Sequence, residues 1–246
     1  MEKLFKIKFA GDKAISVEFK NEISEETNNY VAALRNLIED SKTIGIEECI
    51  PTYRALTICY NPIELTYEKL EEKINELMGD IESFSNTESK VYVIPVYYGG
   101  EFGPDIENVA KQNNLTKKEV VKIHTGVDYR IYMLGFTPGF PYLGGMDETI
   151  STPRLVKPRI KVNAGSVGIA GSQTGIYPID SPGGWQIIGR TPVKLFDIDN
   201  EEPVLLNAGN YIRFKSIDYK TYERILKEVN SNTFNIEIKK TTKRGE

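Results

Sequence analysis

The chain has 246 residues, of which 40% are hydrophobic and 27% are charged, as expected for a globular protein with one large or two smaller domains. Its net charge of -4 argues against nucleic-acid binding, and it lacks the apolar run that a membrane-spanning helix needs. Two cysteines, Cys49 and Cys59, and one histidine are too few for a zinc site. Two thiols without a signal peptide favour a cytoplasmic location.

Residues 1–88 alternate short strands with two helices. The segments LFKIKF and AISVEF alternate apolar and polar residues, which is typical of strands with one buried face. Ser24 is a suitable N-cap for a helix that begins with Glu25 and Glu26. Two more strands, at 46–50 and 54–60, precede a second helix. We predict a small α+β domain here and assign no chemistry to it.

A polar, serine-rich segment, DIESFSNTESK, resembles a linker between this domain and a second one at residues 89–246. The second domain begins with the strand VYVIPVYY, and a helix is expected just after Pro104. Thr116 and Glu119 form a capping box for a helix that ends near His124. A final helix and the closing strand FNIEI follow a long stretch of strands and turns.

Glycines are concentrated in the middle of the second domain, where 11 of the 20 lie between Gly135 and Gly189. Short strand-like segments such as VGIA, WQII and VKLF lie among or just after these glycines. Many short strands joined by Gly and Pro turns indicate a closed or sandwiched β structure. We therefore predict a β-barrel with a few peripheral helices.

Two uncharged or nearly uncharged stretches are candidates for a binding site: GFTPGFPYLGG at 135–145 and NAGSVGIAGSQTGIYPIDSPGGWQIIGRTP at 163–192. Glycine lets a backbone N–H group approach a ligand closely, although it also satisfies tight barrel corners. The candidate backbone contacts are Gly135, Gly139, Gly165, Gly168 and Gly171.

Several side chains could carry chemistry in the second domain. His124 is the only imidazole, so acid–base work at a histidine would require it, although a lone histidine is often structural. Arg154 and Arg159 each follow a proline and could clamp a carboxylate, or could form surface ion pairs. Trp185 is either a pocket wall or a core residue. The remaining candidates for substrate contact are Gln173, Tyr177, Ser181 and Arg190, whereas Glu101 and Asp105 are expected to cap a helix.

The segment GWQIIGRT at 184–191 matches a phosphate-binding P-loop apart from Arg in place of Lys. A P-loop needs a flexible turn followed by a helix, whereas WQII favours a strand and Pro192 begins no helix. We therefore predict that this segment is a strand.

Taken together, His124, GFTPGFPYLGG, the two Pro-Arg pairs, AGSVGIAGSQTGIYP and SPGGWQIIGRTP resemble the allophanate hydrolase subunit 1 family over nearly the whole chain. The resemblance implies that the second domain is a cyclophilin-like β-barrel. It also implies a component of an ATP-dependent 5-oxoprolinase, inactive alone, that opens 5-oxo-L-proline to L-glutamate with PxpA-like and PxpC-like partners.

By this resemblance, Arg154 or Arg159 would hold the substrate carboxylate, and Gln173, Tyr177 and Ser181 would hydrogen-bond the lactam or a phosphorylated intermediate. His124 would shuttle a proton. ATP could be bound by a partner, and no metal or biotin site is expected on this chain. Two alternatives stay open: a KipI-like inhibitor of a sporulation histidine kinase, and a carboxyltransferase component of a biotin-dependent urea carboxylase or allophanate pathway.

Overall fold

The computed structural model describes residues 4–79, Ile81 and residues 89–241. The described residues fall into two compact units, of which Ser89–Thr241 form the second and the residues before them form the first. Most of the predicted linker at 80–90 lies outside the described residues. No helix in the described parts of the chain combines the length and apolarity needed to cross a bilayer.

The first unit is an antiparallel sheet with two helices among its described residues. Its strands are β1 (Lys6–Phe9), β2 (Ala14–Glu18), β3 (Ile46–Pro51) and β4 (Ala55–Tyr60), in the order β1-β2-β4-β3. Its helices are α1 (Glu25–Ser41) and α2 (Tyr67–Gly79). The predicted cap is present, because the Ser24 hydroxyl oxygen accepts a hydrogen bond from the Thr27 backbone N–H at 3.2 Å. The buried faces of the sheet and both helices share one apolar core.

The second unit begins with β5 (Ser89–Tyr98), a short 3₁₀ turn (Gly100–Phe102), α3 (Ile106–Gln112) and α4 (Lys117–His124). Thr116 and Glu119 form the predicted capping box at the start of α4. Up to residue 241, where the description ends, nine further strands and one helix follow in chain order: β6 (Asp128–Leu134), β7 (Pro141–Gly144), β8 (Arg159–Val162), β9 (Ser166–Ala170), β10 (Gln173–Ile176), β11 (Ser181–Gly183), β12 (Gln186–Arg190), β13 (Tyr211–Ser216), α5 (Tyr219–Asn230) and β14 (Glu237–Thr241). The closing strand begins three residues later than the predicted segment FNIEI.

Seven of these strands form one curved sheet in the order β10-β9-β12-β5-β13-β6-β7, and β14 pairs with β5. The β5–β13 pair is parallel, and the other pairs are antiparallel. The two end strands, β10 and β7, lie beside each other, so the sheet is a nearly closed barrel. Strands β8 and β11 form a separate two-stranded ribbon.

The barrel interior is filled by inward-facing aliphatic and aromatic side chains from these strands, among them Ile94, Ile131, Val167, Ile188 and Phe214. The fold predicted from the sequence, an α+β N-terminal part followed by a β-barrel with peripheral helices, is confirmed. The segment that mimics a P-loop is strand β12, as predicted, and no helix follows it directly in the described chain.

Candidate functional site

Trp185, the only tryptophan, is the centre of an aromatic cluster outside the main barrel core. The ring centroids of Phe140 and Tyr177 lie 5.7 Å and 6.1 Å from that of Trp185, at interplanar angles of 87° and 77°. Edge-to-face contacts of this kind hold rings in defined orientations. The guanidinium carbon of Arg154 lies 6.0 Å from the Trp185 ring centroid. We call Trp185, Phe140, Tyr177, Arg154 and Arg159 the Trp185 platform.

The loop GFTPGF places two phenylalanines at different depths: their rings are in edge contact, with centroids 5.9 Å apart, but only one of them is buried. The Gly135 N–H donates to the Phe140 carbonyl at 3.1 Å, and the Phe140 N–H donates to the Thr137 carbonyl at 3.1 Å. This tight turn buries Phe140 to 4% exposure and leaves Phe136 73% exposed. Phe136 also has a φ of +65°, a left-handed conformation that is costly for a bulky side chain. The apolar loop therefore provides one wall of the platform.

Two glycines make room for the aromatic rings. A Cβ atom on Gly183 would lie 2.4 Å from the Tyr177 hydroxyl oxygen, and one on Gly175 would lie 3.0 Å from a ring carbon of Trp185. Both distances are shorter than ordinary contacts between carbon and its neighbours. Glycine at these positions is therefore required by ring packing.

Arg154 is placed over Trp185 by hydrogen bonds on both sides of it in the chain. Before it, Gln186 donates from Nε2 to the Pro153 carbonyl at 2.9 Å. After it, the Leu155 N–H donates to the Gly184 carbonyl at 2.7 Å. Because backbone on both sides is held, Arg154 stays above the indole although its own side chain is exposed.

The two candidate arginines differ in their partners. Arg159 donates from Nη2 to Asp105 Oδ1 at 2.7 Å and from Nη1 to the Trp185 carbonyl at 3.4 Å. Arg154 has a cation–π contact with Trp185, but no described residue forms an ion pair or hydrogen bond with its side chain. Arg154 is therefore the guanidinium available to an incoming carboxylate, whereas Arg159 is already engaged.

Tyr177 contributes a neutral hydroxyl to the platform, although only 3% of the residue is exposed. Burial raises the pKa of Tyr177 above its ordinary value, and a backbone hydrogen bond from Trp185 and the nearby charges of Arg154 and Arg159 oppose that rise. The phenol is protonated at neutral pH, so its O–H can donate a hydrogen bond. The platform thus combines an aromatic face, a cation and a neutral donor.

His124 does not join the platform, because it is completely buried in the barrel core. Its Nδ1 lies 2.8 Å from the Tyr98 hydroxyl, and its Nε2 lies 2.8 Å from Thr174 Oγ1. The Thr174 hydroxyl donates to the Gly168 carbonyl at 3.1 Å, so it must accept from Nε2–H. The Tyr98 hydroxyl therefore donates to Nδ1, and the four groups form a one-way hydrogen-bond chain.

Burial lowers the pKa of His124 from 6.5 to about 3, so the imidazole is neutral in the folded protein. Both ring nitrogens are occupied and no ring atom reaches the surface. This geometry does not support the expected proton shuttle at His124, and it assigns the side chain a structural role. These contacts fit the other interpretation of the sequence, in which the lone histidine is structural.

The structure does not bring Arg190 to the platform. Arg190 is five residues beyond Trp185 along an extended strand, a separation of roughly 16 Å. Its Nε donates to the Ala164 carbonyl at 2.9 Å, and its guanidinium carbon lies 5.8 Å from the Phe102 ring centroid. Arg190 is therefore held by a different part of the barrel surface.

Gln173 and Ser181 lie nearer to the platform. Gln173 is on the same face of β10 as Gly175, which packs against Trp185, because side chains two residues apart in a strand point the same way. Ser181 is half-buried in the β8–β11 ribbon, opposite Val162. Their predicted substrate contacts stay predictions.

The expected anion-binding backbone amides are mostly used within the fold. The N–H groups of Gly135, Gly165 and Gly171 donate to the carbonyls of Phe140, Tyr177 and Thr152 at 3.1, 2.7 and 2.7 Å. These three amides are therefore not free for a ligand. The remaining two glycines serve the packing: Gly139 has a φ of +77°, and a Cβ on Gly168 would lie 3.2 Å from the Gln186 carbonyl and from Trp185 Cβ.

Asp105 and Gln186 contact the platform, although the sequence predicted only a helix cap for Asp105 and only a neutral donor or acceptor for Gln186. Asp105 was expected to cap α3, but its side chain makes no capping hydrogen bond and binds Arg159 instead. Gln186, only 3% exposed, accepts from Asn108 Nδ2 at 3.0 Å and holds the Pro153 carbonyl. Their contacts could not be predicted, because their partners are distant in sequence. The one local indication of a role was the polar Gln186 inside the otherwise apolar segment WQII.

A cavity of about 440 Å³ lies in the first unit, away from every predicted site residue. Its lining carries charges of both signs, Arg35 and Lys42 as well as Glu39, Glu47 and Glu48. Burial raises the pKa of its Cys49 thiol to about 11, so that thiol is a poor nucleophile. Within the described residues, no group of three or more His, Cys, Asp or Glu side chains could hold a metal ion.

The chain is similar to several known proteins over most of its length. The chain is 43% identical over 236 residues to the B-type component of the 5-oxoprolinase of Bacillus subtilis, covering 92% of this chain and 98% of that protein. The crystal structure of TTHA0988 superposes with a TM-score of 0.74 at 34% identity, over 84% of this chain but 40% of that longer chain. Urea carboxylase of Kluyveromyces lactis shares the fold, with a TM-score of 0.75 at 20% identity over 98% of this chain and 24% of that one.

The family model described as carboxyltransferase domain, subdomain C and D, matches residues 5–206, a range that contains the whole Trp185 platform. The chain therefore belongs to the family of proteins that contain carboxyltransferase subdomains C and D.

Proposed function

We propose that this chain is the B-type component of an ATP-dependent 5-oxoprolinase and that its Trp185 platform binds 5-oxo-L-proline. The observation that carries the assignment of the site is the guanidinium of Arg154, which lies over an indole ring without a carboxylate partner among the described residues. The identity to the corresponding 5-oxoprolinase component of Bacillus subtilis, over almost the full length of both chains, supports the activity.

5-Oxoproline has features that match the platform. It is a small five-membered lactam ring with one carboxylate. A guanidinium binds a carboxylate through two parallel hydrogen bonds, and the ring can rest against an aromatic face. The Tyr177 O–H, with Gln173 and Ser181 nearby, would donate to or accept from the lactam group. Arg159, already bound to Asp105, would support the site from below.

The reaction requires more than this platform. Opening the lactam with ATP calls for a nucleotide site and a group that transfers protons, and β12 lacks the turn and helix of a P-loop. We place ATP binding and the chemical step on PxpA-like and PxpC-like partners, in the cytoplasm. The chain alone would bind substrate weakly and would not turn it over.

The test is a steady-state assay of glutamate formation with the chain and both partners co-purified. Arg154→Gln should raise the KM for 5-oxoproline by about 10-fold or more, because it removes a charge-assisted contact of roughly 1.5–3 kcal/mol. Arg224→Gln, on the exposed face of α5 in an ion pair with Glu228, is the matched control and should leave KM unchanged.

An equal KM for Arg154→Gln and the unsubstituted complex would remove the platform from the substrate site. No glutamate from the unsubstituted complex would contradict the function itself. In that case, the same preparation would be tested against a histidine kinase and against biotin-dependent carboxylation of urea, the two alternatives that the sequence leaves open.

A further inference from the structure

We propose that Asp105 is the positioning residue of the Trp185 platform: it fixes Arg159 and β12, and through them the orientation of Trp185 beneath Arg154. The proposal rests on the proposed function only for the identity of the ligand, because every contact that it uses lies within the chain. No predicted site residue lies in the segment around Asp105, which precedes the platform residues by about 35 positions or more.

Asp105 uses both carboxylate oxygens and its backbone N–H on the site. Its Oδ1 accepts from Arg159 Nη2 at 2.7 Å, and its Oδ2 accepts from the Ile187 N–H at 2.6 Å. Its own backbone N–H donates to the Ile187 carbonyl at 2.9 Å. With 8% of its surface exposed, Asp105 joins α3 to the β8–β11 ribbon and to β12. Short, charge-assisted hydrogen bonds of this kind are the most directional ones available to a protein.

The Asp105 side chain does not form the local capping hydrogen bond that its position would allow. Asp105 is the N-cap of α3, where an aspartate side chain normally accepts from a backbone N–H two or three residues ahead. It makes no such bond here. By contrast, Ser24, Thr116 and Asp218 cap α1, α4 and α5 through their side chains. Functional sites are the places where a residue is expected to depart from a local rule that equivalent residues follow.

Arg159 connects Asp105 to the backbone of Trp185. Its Nη1 donates to the Trp185 carbonyl, while Asp105 holds the Ile187 N–H two residues later in the chain. The backbone on the C-terminal side of Trp185 is therefore held at two points that both depend on Asp105. The indole is the surface above which Arg154 lies, so its orientation sets where a ligand carboxylate meets the guanidinium.

The test uses Asp105→Asn in the co-purified complex. Asparagine is an equally good N-cap residue and keeps one oxygen for the Ile187 N–H, but its NH₂ group cannot accept from Arg159. We expect the KM for 5-oxoproline to rise about 10-fold, the usual size of coupling within one hydrogen-bond network, with kcat nearly unchanged. Asp218→Ala is the inverse control: it removes a true cap, so it should lower the unfolding midpoint and leave KM unchanged.

A double variant separates positioning from general loosening of the fold. If Asp105 acts through Arg159, Asp105→Asn with Arg159→Gln should raise KM no further than Arg159→Gln alone. A second readout needs no substrate: Trp185 is the only tryptophan, so acrylamide quenching of its fluorescence in the isolated chain should increase in both single variants and not in Asp218→Ala.

Additive effects on KM, or unchanged quenching in Asp105→Asn, would overturn the proposal. If the unsubstituted complex forms no glutamate, the proposed function fails, and the quenching measurement still decides whether Asp105 positions Trp185.

Discussion

Stability should fall as the pH decreases from 7 to 5 because His124 is neutral and completely buried. In the unfolded chain an imidazole has its ordinary pKa of about 6.5. In the folded chain burial lowers that pKa to about 3, so protons bind preferentially to the unfolded state between these two values. The stability contributed by the neutral imidazole is present in full above pH 6.5 and is lost progressively as the pH falls toward 3.

The size of the effect follows from proton linkage. Each pH unit below 6.5 costs about 1.4 kcal/mol for one group, so the free energy of unfolding should be about 2 kcal/mol lower at pH 5 than at pH 7. Residues in ion pairs or capping bonds whose carboxyl pKa is lowered, such as Asp218 and Asp180, begin to add to the loss only nearer pH 4. His124 is the only histidine, so no other imidazole contributes.

The assay is urea denaturation at several pH values, followed by the fluorescence of Trp185, which lies in the same unit as His124. The midpoint should shift to lower urea with an unchanged slope. His124→Gln should be less stable at pH 7, because buried hydrogen bonds are lost, yet its stability should be flat between pH 7 and 5.5. A flat profile in the unsubstituted chain, or an equal decline in the variant, would refute the reasoning.

Two further predictions concern the packing of the platform. Phe140→Ala should lower the free energy of unfolding by about 3–5 kcal/mol, because the ring is buried. Phe136→Asn should cost much less, because it removes a mostly exposed ring with one edge contact to Phe140 from a left-handed backbone position that asparagine tolerates. Urea denaturation compares the two variants, and equal losses would contradict the described loop. Gly175→Ala should shift the emission maximum of Trp185 and cost about 1–3 kcal/mol, because the added methyl group would displace the indole. Gly79→Ala, where a Cβ would meet nothing within 4 Å, is its control: it should leave the emission maximum unchanged, and it should not lower the free energy of unfolding, because alanine is favoured over glycine in a helix.

Local interactions explain which parts of the fold were predictable. The Ser24 cap and the Thr116–Glu119 capping box join residues three positions apart, so the sequence alone identified the starts of α1 and α4. The alternation of buried and partly buried residues along β4 is likewise a property of neighbouring positions. The density of glycine and proline turns indicated a barrel because short strands must reverse direction often.

The sequence offered candidate residues for a site, but it could not predict how they are arranged. The Pro-Arg pairs and Trp185 were candidates because of their residue types, but the distinction between Arg154 and Arg159 depends on Asp105, which is 54 positions before Arg159. In the same way, Thr174 lies 50 positions after His124 and turns a possible acid–base group into a buried structural one.

The local elements and the class of fold follow from the amino-acid sequence, which also proposes candidate residues for binding a small acid. Which of those residues share a surface, and which have their hydrogen bonds already satisfied, depends on the three-dimensional arrangement. The physical reason is that availability to a ligand is set by what else a polar group contacts. In a barrel those contacts come from strands and helices that are far apart along the chain.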